Sequence, residues 1–93
     1  MAVLWRPVAL ESRLDYWRAM AALNPDAAER QDAEIERLGE SLDGIATYQA
    51  GPVAGTHIVP AAGGRFVLIY QRHGQGAEIL DVVPARSNWK PEP

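Results

Sequence analysis

The chain has no cysteine, which excludes a disulfide framework and any thiolate metal site. Long apolar runs are missing too. The opening stretch MAVLWRPVALESR is too broken by polar residues for a signal peptide or a membrane span, so the cytoplasm is the expected location and no membrane contact is expected. Positive charge is scarce: nine Lys and Arg stand against twelve Asp and Glu, a net charge of −3. Broad electrostatic binding to nucleic acid relies on a basic surface, which this balance does not supply. Only two histidines occur, His57 and His73, and a pair on different elements does not make a zinc site. No Ser/His/Asp arrangement suggests a nucleophile; Ser41 and Ser87 fall near element ends. The glycines of PAAGGRF and HGQGAE sit between strand-like runs rather than before a helix, so they serve turns and not a phosphate loop. No metal or other cofactor is expected.

What remains is an ordinary globular composition. Ninety-three residues, 47% of them apolar, suffice for one domain with one core; the expectation is a single domain over residues 1–90 and a disordered tail over 91–93. Charge is unevenly placed. Residues 7–44 carry nine acidic and four basic side chains, whereas residues 45–93 carry Arg65, Arg72, Arg86 and Lys90 against Glu78, Asp81 and Glu92. Any surface that faces an anion therefore belongs to the second half, unless the pattern reflects only solvated helix faces.

Val3-Leu4-Trp5 is a short strand-prone run that stops at Arg6-Pro7, and proline suits the first position of a helix. Leu10, Leu14, Trp17 and Ala21 recur at helical spacing, which predicts a first helix with that stripe toward the core. Asn24-Pro25 gives a cleaner start, with Asn as N-cap, Pro at the first turn and Asp26 where it suits the helix dipole. The second helix is expected to run to about Leu42, with Ala28, Ile35, Leu38 and Leu42 inward and Asp43-Gly44 as the stop. Residues 45–54 are expected to be irregular. Then come three apolar runs, HIVP, RFVLIYQ and AEILDVV, separated by Gly clusters, and these predict an antiparallel meander. On the last run, alternation puts Ile79, Asp81 and Val83 on one face and Glu78, Leu80 and Val82 on the other.

Taken in order, these features resemble the RelE/ParE superfamily of small bacterial toxins, especially its plasmid-stabilisation branch. The resemblance rests on Trp5-Arg6-Pro7-Val8-Ala9, on Arg13 and Tyr16 in the first helix, and on Asn24-Pro25-Asp26-Ala27-Ala28 opening the second. It continues through Gly55-Thr56-His57-Ile58, Phe66-Val67-Leu68-Ile69-Tyr70, Ala77 to Pro84, and Trp89. No single motif is specific; their order and spacing are. The resemblance implies an α+β fold, β-α-α-β-β-β, with a helical hairpin packed on a small antiparallel sheet. It also implies the toxin half of a type II toxin–antitoxin system, held in a hetero-oligomer by a cognate antitoxin that docks a helix in a groove or adds a strand. RelE-like relatives cut mRNA on the ribosome without metal, and ParE-like relatives poison DNA gyrase. Here Asp81 stands where relatives often have Arg, Pro84 where they have His, and His57-Ile58 where they have Arg-Glu. These departures favour the gyrase branch over the ribonuclease, and leave open an inert module that only binds a partner.

Candidate catalytic groups are His57, Arg65, Asp81 and Arg86. His57 is of a residue type suited to acid–base work, or it merely fills a strand. Arg65 and Arg86 suit a phosphate or an antitoxin carboxylate, or are solvated ends. Asp81 is expected to pair with Arg65 or Arg72 on a neighbouring strand. Candidate partner contacts are Tyr16, Trp17 and Tyr48 around the hairpin, with Arg72 and Trp89; for Trp17 core packing is the expectation, and for Trp89 a cap on the sheet.

Overall fold

The structure is a computed structural model that describes residues 3–43, 49–74, 76–87 and 89. Its order is β1 (Val3–Trp5), α1 (Pro7–Ala21), α2 (Pro25–Glu40), a 3₁₀ turn (Ser41–Asp43), β2 (Gln49–Ala50), β3 (His57–Ala61), a second 3₁₀ turn (Ala62–Gly64), β4 (Phe66–His73) and β5 (Gly76–Pro84). Two helices lie on one face of a five-stranded sheet ordered β1-β5-β4-β3-β2. The meander is antiparallel, as its Gly-bounded runs predict. β1 joins the far edge of β5 in parallel, Val3 opposite Ala77 and Trp5 opposite Ile79, so the whole sheet is mixed. Residues 49 and 50, expected to be irregular, form a two-residue edge strand against β3; Tyr48 and the rest of the link back to Gly44 lie outside the described residues, as does the tail over 91–93.

The helix signals work as physical chemistry requires. The Asn24 side chain accepts a 3.1 Å hydrogen bond from the Ala27 amide, with Pro25 in the first turn. α2 ends at Glu40 and tightens into the 3₁₀ turn that carries Leu42, two residues short of the expected stop. Ala28, Ile35 and Leu42 are fully buried, as their spacing predicts. Gly39 lies where β1 crosses beneath: a Cβ there would run into the Trp5 ring and come within 2.9 Å of Ile79 Cδ1.

α1 departs from expectation. Its buried residue is Ala9, and Ser12, Arg13 and Tyr16 are the side chains that reach other elements. Leu10 is 48% exposed and Leu14 46%. Periodicity alone shows that a stripe exists; which stripe faces inward is decided here by the polar partners that α2 and β5 offer.

Two cores flank the sheet. Beneath the helices, Leu68, Tyr70, Ile79 and Val82 pack with Ala9, Ile35 and Leu42; on the opposite face Ile69, Leu80 and Val83 pack with Ile58, Val67 and Trp89. The alternation read from β5 fails at one point. Ile69 is opposite Asp81 but Tyr70 is opposite Ile79, so Leu80 is an extra residue in a bulge. Ile79 and Val82 therefore share one core while Leu80 and Val83 share the other.

Candidate functional site

The hairpin has two flanks of opposite chemistry. On the outer flank Leu10, Leu14 and Trp17 line a shallow groove of about 380 Å³, closed by Arg13, Glu29 and Asp32. Arg13 forms its floor, with 11% of its side chain exposed. Its guanidinium donates two hydrogen bonds to Asp32, of 3.0 and 2.8 Å, reaches Glu36 at 3.5 Å and lies 4.6 Å over the Trp5 ring. Burial alone lowers its pKa, but the bonds and charges of Asp32 and Glu36 outweigh that and hold it above its ordinary value. Trp5 in turn donates from Nε1 to Glu40 at 2.6 Å. Polar pins thus tie α1, α2 and β1 together, and the larger apolar side chains of α1 are left outside.

On the inner flank the hairpin meets the turn between β3 and β4. Tyr16, Ala19, Met20, Leu23 and Phe66 line an apolar slot of about 210 Å³ that ends at Gln31 and Arg65. The same two residues border a larger polar recess of about 520 Å³, with Arg30, Glu34, Ala62 and Gly63. Gln31 is 6% exposed, and its side-chain oxygen has no donor among the described residues; a buried acceptor left alone costs about 1–3 kcal/mol. Ala62 holds φ at 54° and begins a run of three positive-φ residues through Gly64, a conformation that costs a residue with a Cβ. That turn places Arg65, whose Nε donates to Ala62 O at 3.3 Å. Leu23, at the tip between the helices, is 84% exposed. Tyr16 donates its hydroxyl to Val82 O at 3.0 Å and packs its ring 4.5 Å from Phe66; burial first, then the charges of Asp81 and Asp15, raise its pKa.

On the face of the sheet away from the helices, Trp89 lies against Ile58, Val67 and Ile69 beside a cleft of about 310 Å³. Asp81 is the residue that fixes it. Oδ2 accepts from Trp89 Nε1 at 3.2 Å, and Oδ1 accepts from Ser12 Oγ and from the Val82 amide, both at 2.7 Å. The expected pairing of Asp81 with Arg65 or Arg72 does not occur among the described residues. Arg72 is used elsewhere, donating to Leu42 O at the end of the second helix. The bulge at Leu80 is the physical reason: it turns Asp81 out of strict alternation, toward α1 and the tail.

The four acid–base and cationic candidates do not converge. His57 begins β3, on the face beneath the helices, its ring 5.5 Å from Tyr70. Arg65 lies beyond the other end of β3 and β4, five register steps away, or roughly 16 Å at ~3.3 Å per residue. Arg65 and Arg86 do share an end, because Ala85 donates its amide to Arg65 O at 3.0 Å, and both are exposed. Asp81 is already bonded as described. His73, the last residue of β4, meets Glu78 at 2.9 Å. Glu78 also accepts from Arg6 at 2.8 Å; the Arg6 bond, against the upward push of burial and with help from His73, holds its pKa below the ordinary glutamate value. Among the described residues no group of three His, Asp or Glu could hold a metal ion, and no helix is long and apolar enough to cross a membrane.

Leu10, Leu14, Leu23, Arg30 and Gln31 were absent from the sequence candidates. A glutamine on the inward side of α2, four residues before Ile35, was the one signal that could have found the inner recess.

Neither a protein-family profile nor a curated protein matches the chain. Among solved structures, a chain of the chromosomal ParDE TA system from P. aeruginosa superposes with a TM-score of 0.83, over 92% of this chain and 97% of that one, at 17% sequence identity. The fold is therefore ParE-like, an α+β arrangement of two helices on a sheet as the sequence resemblance implied, the sheet being mixed and five-stranded where a small antiparallel one was expected.

Proposed function

We propose that this chain is the toxin half of a type II toxin–antitoxin pair, restrained by direct binding of a small cognate antitoxin, and that it acts in the ParE manner on DNA gyrase. The observation that carries the reading is the outward stripe of α1. Leu10 and Leu14 are half exposed beside Trp17, on a helix whose inward face is small and polar. A monomer that ties its helix down with Ser12 and Arg13 and leaves leucines in water presents an interaction surface. An antitoxin helix with apolar residues at successive turns would cover it, and the carboxylates of Glu29 and Asp32 at the rim favour basic side chains beside that stripe. Trp17 is then the central contact, with Tyr16 holding α1 to the sheet through Val82 O; Arg72 and Trp89 lie outside this groove.

A protein target is favoured over mRNA by the division of the candidates. In-line attack of a ribose 2′-OH needs a base, an acid and a cation at one phosphate. His57 is under the helices, and Asp81 is occupied by Ser12 and Trp89. The ribonuclease stays as the second reading because Arg65 and Arg86 share one end of the sheet, where two cations could grip a phosphate. The plasmid-stabilisation branch is supported by motif order alone. In either role the protein works in the cytoplasm as a hetero-oligomer with its antitoxin.

Inducible expression of the chain alone in a bacterial host tests the proposal. Growth arrest with filamentation and a DNA-damage response, relieved by co-expressing the product of the adjacent reading frame, is the expected result. Arrest with cleaved transcripts moves the target to mRNA. Unimpaired growth with folded protein leaves a partner-binding module and sinks the toxin reading.

A further inference from the structure

We infer that the inner flank of the hairpin, where α2 faces the β3–β4 turn, is a second recognition site that takes an aliphatic side chain of a partner peptide in the Met20–Phe66 slot and an adjacent carboxylate between Arg30 and Arg65. It rests on the reading above that the chain binds a polypeptide, and adds where an acidic segment of that polypeptide is held.

Three observations point to this ligand chemistry. The slot is apolar and of a size for one leucine-like side chain, at about 210 Å³. It opens directly into a recess with two guanidinium groups, neither in an ion pair among the described residues, against the single carboxylate of Glu34. Between the two sits Gln31, nine-tenths buried, with an acceptor oxygen that no described donor reaches. A turn of that amide offers the oxygen to a ligand N–H, so a peptide group fits the junction and a bare fatty acid does not use it. Charge separates this flank from the other: the outer groove is rimmed by Glu29 and Asp32, the inner recess by Arg30 and Arg65. One chain could cross both only if it were basic along the first and acidic at the second, a pattern that sets direction as well as affinity. The positive-φ turn at Ala62–Gly64 keeps Arg65 at the mouth.

Titration of the ¹⁵N-labelled protein with a capped tetrapeptide of alternating Leu and Glu, and with its Leu/Lys counterpart, tests the site. The Leu/Glu peptide should shift the Gln31 side-chain amide, the Arg65 Nε–H and the Gly63 and Gly64 amides, and bind about tenfold tighter than the Leu/Lys peptide, one tenfold step being a modest difference for one ion pair. Arg65→Glu, an exposed position that should fold normally, should reverse that preference. Shifts confined to the outer groove or the Trp89 face overturn the inference. So does the absence of shifts at about 5 mM peptide, where even millimolar affinity shows, or a preference that Arg65→Glu leaves unchanged. Growth arrest is read separately: arrest without shifts in the recess removes this site alone, and shifts without arrest remove the toxin reading alone.

Discussion

The two helices of the hairpin are attached to the same sheet by different means. α2 and the 3₁₀ turn that continues it bury Ala28, Ile35 and Leu42 completely and are held by apolar area, at roughly 1.5–3 kcal/mol for each large side chain. α1 buries Ala9 and is held by directed bonds: Ser12 to Asp81, Arg13 to Asp32, Tyr16 to Val82. Apolar packing consumes the surface it uses. Directed bonds do not, and α1 keeps its leucines available for another molecule. On the proposed function, the binding surface and the polar fastening of α1 are one design.

The comparison breaks first at Ile35. Ile35→Ala should cost about 2–5 kcal/mol, the range for deleting a fully buried aliphatic, measured by urea unfolding. A loss below ~1 kcal/mol would show that apolar packing is not what holds α2. Arg13→Met comes next. Breaking a fully buried ion pair costs about 3–5 kcal/mol, but Asp32 keeps about a third of its side chain in solvent, so ~2 kcal/mol is expected. A double-mutant cycle with Asp32→Asn should recover most of it as coupling; additivity would mean that Arg13 acts through its packing on Trp5.

A smaller effect sits at the entrance to α1, where Arg6 is tied to Glu78. The carboxyl is held below its ordinary value, so the folded state binds that proton more weakly than the unfolded chain does. Its contribution is complete above the unfolded pKa of about 4.3 and fades as pH falls through the lower, folded value. The melting temperature of Glu78→Gln should therefore lie below that of the unaltered protein at neutral pH, and the two should converge under acid. Parallel curves would remove Glu78 from the fastening. The smallest change should come from Leu10→Ser with Leu14→Ser. Stability should move by under ~1 kcal/mol, as for substitutions on exposed surface, while capture of the antitoxin by the purified protein is lost. A marked fall in stability would put the stripe in the core after all.

Most of the architecture was legible. Asn24-Pro25 marked the start of the second helix to the residue, and Gly-bounded runs marked β3, β4 and β5, because caps and turns depend on nearby residues alone. β1 was legible as a strand but its partner was not, since nothing local in Val3–Trp5 specifies a parallel neighbour seventy residues away. The face of α1 was misread for a related reason: a leucine stripe looks the same whether the core or a partner covers it, and Ser12 and Arg13 reveal their role only once Asp81 and Asp32 are placed. Asp81 stood out as the odd residue of its strand, and it is. Its partners were illegible because the Leu80 bulge, which no local signal announces, shifts everything after it by one. Of the site, Trp17 was named as a partner contact, with core packing the expectation, and Gln31 was not named.

The parallel pairing of β1 with β5 also has a bearing on the order of synthesis. β1 leaves the ribosome long before its neighbour in the sheet, Ala77 to Ile79 of β5. The hairpin and the first strands of the meander can assemble early from contacts close in sequence, whereas closing the N-terminal edge waits for a contact of long loop. A nascent chain cut off anywhere before Gly76 has a β1 with nothing to pair to. Interrupted translation thus yields no shortened version of this sheet, and the arrival of β5 is itself a condition for placing β1.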